Sequence, residues 1–256
     1  MAGVTHWDET NAGERGYAEA AQQMTAEVRA ACEAATATGA TEIVVKDAHD
    51  SARNITHAEL PAGVRMFRGW SAHPWAMLEG LDDSYDAVFF TGYHSAASTG
   101  GSPLAHTMTT SLDKVTLNGM VCDELLLHTW LALYVGVKPI LVTGDQALCQ
   151  LAEERFPGMV TVPVKEGIGN GTISLHPDDA IRSIRNGVET ALQELSERAE
   201  QLPGLPAEFR LEIRYQDQKD AYRNSFYPGC RLEDARTVVY ETDDYGEVMR
   251  CAHFIM

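Results

Sequence analysis

Two kinds of apolar run alternate along the chain. Residues 14–38 form a long alanine-rich stretch closed by Gly39, which predicts a helix with a glycine C-cap. Short, nearly continuous apolar runs follow at 42–46, 87–90, 115–117, 139–142 and 159–164, and each predicts a strand. Residues 123–135, 146–156 and 177–201 predict helices; the last has Pro177 at its start and Asp178 and Asp179 in its first turn, where acids suit the helix dipole. Asn118-Gly119 is a tight-turn signal.

Apolar strands between helices indicate an α/β fold, with a largely parallel sheet covered by helices on both faces. Leu202-Pro203-Gly204-Leu205-Pro206 reads as a linker. After it, Phe209 to Tyr215 alternates apolar and polar, the period of a half-exposed antiparallel strand. The expected division is an α/β catalytic domain over 1–202 and a smaller α+β part over 207–256.

Composition narrows the partners. The 256 residues carry 20 Lys+Arg against 37 Asp+Glu, a net charge of −17. Phosphate backbones and anionic membrane surfaces are both bound through clustered cations, so neither is an expected partner. No basic and apolar leader opens the chain, and residues 125–137 are too short and too interrupted to span a bilayer. Five cysteines without a Cys-x-x-Cys pair fit a reducing cytoplasm.

In open parallel sheets, ligands bind beyond the carboxyl ends of the strands. His49 and His94 each follow such an end, His106 follows a glycine-rich loop, and Asp123-Glu124 opens a helix. Imidazoles with carboxylates suit zinc. Each residue alone has a plainer reading, as a solvated histidine or an acidic helix start. Cys122 reads as a buried thiol. Gly167 to Gly171 lacks both the P-loop lysine and the dinucleotide spacing, and reads as a flexible loop.

Five segments, in order, resemble the D-aminopeptidase family of binuclear zinc peptidases. They are Thr41 to His49, Met77 to Asp82, Phe90 to Thr99, Ala105 to Met108, and Leu117-Asn118-Gly119 with Glu124. The resemblance implies that His49, His94 and Glu124 are zinc ligands. It implies that His106 is the catalytic histidine, as nucleophile or as general acid/base. It further implies two zinc ions per subunit, removal of N-terminal and often D-configured residues from short peptides, and a homo-oligomer, a decamer of two pentameric rings around a chamber. The family's Asp-x-Glu-Gly strand, which supplies two more carboxylate ligands, falls before Met1. The expectation is therefore a start assigned at an internal methionine, or a truncated chain with a damaged metal site. The alternatives to the peptidase are a metal-deficient ring-forming relative without activity and an amidase of different specificity.

Overall fold

The computed structural model describes residues 1–256. In chain order the elements are α1 (Tyr17–Ala37), β1 (Val44–Lys46), β2 (Arg65–Phe67), β3 (Ala87–Tyr93), β4 (Leu112–Leu117), β5 (Met120–Val121) and α2 (Glu124–Tyr134). They continue as β6 (Lys138–Asp145), α3 (Gln146–Arg155), β7 (Val160–Ile168), β8 (Gly171–Ser174), α4 (Pro177–Gln193) and α5 (Leu195–Gln201). Last come β9 (Phe209–Tyr215), α6 (Gln218–Asn224), β10 (Arg231–Leu232), β11 (Thr237–Thr242) and α7 (Tyr245–Ile255).

The fold is α/β, as the alternation of runs implies. β3, β6 and β7 are parallel neighbours, with β8 added antiparallel at the edge, and β1 and β2 form a separate parallel pair. Successive side chains of a strand point to opposite faces. On β6, Leu141 joins a core with Ala31, Ala34 and Ala35 of α1 and Ile184 and Val188 of α4, while the next residue, Val142, joins a core with Leu148 of α3 and the leucines of α2. The alanines of α1 are small enough to let that helix lie close against α4.

The third sheet is antiparallel, in the order β10-β11-β9-β4-β5. The 115–117 run, apolar like the parallel strands, belongs here: Val115 pairs with Ile213 and Leu117 with Leu211. Its apolar character comes from burial in the core that it shares with residues of α2 and α7. Asn118 and Gly119 make the turn into β5, both at positive φ, the conformation that this dipeptide favours. β9 is buried at every second residue, as its alternation predicts. Residues on both sides of the 202–206 linker thus share one sheet and one core, in which Trp130 of α2 packs against Phe209 and Tyr245.

Two expectations need correction. Residues 177–201 form two helices, because Glu194 leaves the helical conformation at φ −104°, ψ 16°. Gly167 to Gly171 is no flexible loop: Gly167 and Ile168 end β7, and Gly169-Asn170 turn the chain directly into β8. The backbone of Gly167 is also anchored, donating to Gly101 O at 3.0 Å.

Candidate metal and catalytic site

β3 delivers His94. The register pairs Tyr93 with Gly144 of β6, which places His94 and Ser95 beside Asp145 at the end of the neighbouring strand. Asp145 is fully buried and accepts from the Ser95 amide (2.6 Å), the Ser95 hydroxyl (2.6 Å) and the Leu148 amide (2.9 Å). The last bond caps α3. Lys165 of β7 is buried nearby and donates to Val4 O at 2.5 Å; burial pulls its ammonium down in pKa, and Asp145 and Glu27 oppose the shift.

α2 delivers Glu124. Asp123 is the N-cap, accepting from Leu126 N at 2.6 Å and held by Arg155 at 3.0 Å. Burial raises the Asp123 pKa, against the pull of Arg155. Glu124, in the first helical turn, is buried and accepts from Met108 N at 2.8 Å. Met108 lies two residues beyond His106, so this bond ties the histidine's loop to the helix. The same loop is pinned at its start. Gly101 stands at φ +103°, and a Cβ there would lie 2.4 Å from Cβ of Ala147.

These supports bring His94, His106 and Glu124 together, with one donor atom from each inside a span of 4.8 Å. The two imidazoles stack, with centroids 4.3 Å apart and planes 23° apart. His94 Nδ1 lies 3.0 Å from Ser95 O and His106 Nδ1 lies 2.7 Å from Leu104 O. A carbonyl only accepts, so each Nδ1 carries the proton and each Nε2 carries a lone pair. Both lone pairs face Glu124, at 3.7 Å from its two oxygens, too far for hydrogen bonds. The His94 lone pair and the Glu124 carboxylate make a mixed nitrogen and oxygen donor set that suits zinc, and the His106 lone pair beside them could either join that set or take up a proton. Burial lowers the His94 pKa, with Glu124 opposing, which favours the neutral ligand form.

His49 is not in this group. Its Nε2 lies 2.7 Å from Thr10 O. Its loop is organised by Asp47, which accepts from Asn54 N, Asn54 Nδ2 and Ile55 N, and Asn54 Nδ2 also reaches His49 O at 2.6 Å. Cys122 is fully buried, as read from its setting. Three further residues shape the site and its surroundings. Asp47 and Asp145 both stand at strand ends, so the rule that selected His49 and His94 would have found them. Trp7 carried no signal; its ring lies 5.3 Å from that of His106, and both border an open cleft of about 400 Å³ with Ala97, Pro103 and Gln216.

Comparisons with known proteins place the whole chain. A family model for D-aminopeptidase, peptidase family M55, matches residues 1–254. A D-aminopeptidase of Bacillus subtilis (strain 168) is 29% identical over 230 residues, covering 90% of this chain and 82% of that protein. The solved structure of a Zn-dependent D-aminopeptidase, DppA from Bacillus subtilis, described as a self-compartmentalizing protease, superposes with a TM-score of 0.90 at 27% identity, over 100% of this chain and 93% of that one. With the match running almost from end to end, the chain belongs to the D-aminopeptidase family, M55.

Proposed function

We propose that this chain is a zinc-dependent aminopeptidase that releases N-terminal residues, D-configured ones among them, from short peptides and amino-acid amides. The observation that carries this reading is the convergence of His94 Nε2 and His106 Nε2 on the two oxygens of Glu124. His94 and Glu124 would hold zinc. His49 is assigned as a further ligand, which requires its ring to give up Thr10 O. Bound zinc would supply an acidified water and a polarised scissile carbonyl.

The chain's own groups supply the rest. Asp145, through Ser95, fixes the backbone that orients His94. His106 keeps its Nδ1 proton on Leu104 O, so Nε2 is the atom that takes a proton from an attacking nucleophile or returns one to the leaving amine. Trp7 walls one side of the cleft beside the His106 ring. Two zinc ions per subunit, a homo-oligomeric ring of decameric size and a cytoplasmic location complete the proposal. The relative's self-compartmentalizing character supports the ring, and five unlinked thiols support a reducing compartment.

The test is release of D-alanine from D-alanyl dipeptides and D-alanine amide by the zinc-supplemented chain, with the L-isomers alongside. Hydrolysis of the D-series supports the proposal. Zinc binding without hydrolysis of either series overturns it in favour of a non-catalytic relative, and cleavage confined to unrelated amides overturns it in favour of an amidase.

A further inference from the structure

Away from the metal site, two thiols meet. Cys230 lies in the turn that precedes β10, its amide bonded to Tyr227 O, and it is half-buried. Cys251 lies in α7 and is fully buried. Their sulfurs are 3.6 Å apart. The contact joins segments 21 residues apart in sequence. Cys32, Cys122 and Cys149 are buried without a cysteine neighbour, and burial pushes the thiols of Cys32 and Cys149 up to about 11 and about 12.

We propose that Cys230 and Cys251 form a modification site, a dithiol that hydroperoxides oxidise to a disulfide. A disulfide needs sulfurs about 2 Å apart, so the pair must close by about 1.5 Å, within reach of side-chain rotation in a turn. The two thiols have different roles. Cys230 is the accessible one, and the hydrogen bond from Cys251 holds its thiol below the ordinary cysteine range, which raises its thiolate fraction. Cys251, buried and beside that sulfur, is pushed up.

The chemistry balances in two steps. The Cys230 thiolate attacks the terminal oxygen of the hydroperoxide. The O–O bond breaks, water or an alcohol leaves after taking a proton, and Cys230 becomes a sulfenic acid. The Cys251 sulfur then attacks the Cys230 sulfur. The S–S bond forms, the S–O bond breaks, and the departing hydroxide takes the Cys251 proton and leaves as water. The peroxide gains the two electrons that the thiols lose.

The bond would fasten the turn after α6 to α7. That helix supports α2, because the Tyr245 hydroxyl donates to Leu127 O at 2.6 Å. The modification therefore acts on an element packed against the helix that carries Glu124, without touching the metal donors.

The test treats the folded, full-length chain with a small excess of hydrogen peroxide, blocks remaining thiols with a maleimide, and maps non-reduced peptides by mass spectrometry. Expected is the loss of two of five thiols, a linked peptide joining Cys230 to Cys251, and recovery of both on adding dithiothreitol. In Cys251→Ser, a dimedone adduct should accumulate on Cys230. If that variant fails to fold, Cys230→Ser serves, and Cys251 in it should stay reduced. No linked peptide in the parent chain, a link between other cysteines, or oxidation of Cys251 without Cys230 would each overturn the proposal.

Discussion

The Asp145 carboxylate holds Ser95 twice, at amide and hydroxyl, and so fixes the residue that follows His94. Asp145→Asn keeps the size of the side chain but turns one acceptor into a donor facing the Ser95 amide. Outer-shell changes of this kind cost about 10- to 100-fold in metal affinity, and that loss is expected for zinc. Competition with a chromogenic chelator measures it. An affinity equal to the parent's would remove Asp145 from the positioning of His94.

Glu124→Gln should cost more metal affinity than any outer-shell change, beyond about 100-fold. The fold should survive, since a glutamine oxygen can still accept from Met108 N. Zinc content after dialysis and the urea midpoint separate these two effects: the first should fall and the second should hold.

His106→Ala distinguishes an acid/base from a ligand. As an acid/base, its loss lowers kcat about 10²- to 10⁴-fold with zinc content intact. This is the expected outcome, read by metal analysis beside kinetics on a D-alanyl substrate. Loss of zinc would make His106 a ligand instead.

His128 gives a pH dependence. It is fully buried in α2, its Nδ1 lies 2.7 Å from Glu124 O, and its Nε2 has no partner. Burial lowers its pKa, and its contacts with Glu124 oppose the shift. The folded chain therefore holds this ring neutral, while the unfolded chain protonates it near pH 6.5. More protons on the unfolded state mean that stability rises with pH up to that value and falls below it. His128→Asn should flatten the difference in unfolding free energy between pH 7.5 and pH 5.5. An unchanged difference would place its origin in other groups, His94 among them.

How far the site could be read before folding depends on how local its parts are. Helix α1 with its Gly39 stop and the Asn118-Gly119 turn are set by neighbours in sequence, and both are legible. His94 is legible too, as the residue that follows a strand. The meeting of His106 with Glu124 is not: it depends on Met108 bonding back to the helix and on Gly101 fitting against Ala147, contacts between segments that pattern alone does not pair. His49 is legible as a strand-end residue, but its partner Thr10 comes from the N-terminal turn and has no periodic signal. The hairpin at 167–171 was missed because glycine marks tight turns and loose loops alike.

The sheet that pairs Val115 with Ile213 also limits how such a protein can evolve. Its last fifty residues cannot be traded as a module, because β4, which leads through a two-residue turn and a short strand into the helix bearing Glu124, has β9 as its lateral neighbour. A lineage that lost the C-terminal segment would expose a strand edge and the underside of α2 together. The inherited unit is therefore the whole ensemble of hydrolytic centre and distal sheet, and a shortened descendant would have to rebuild that floor from another source.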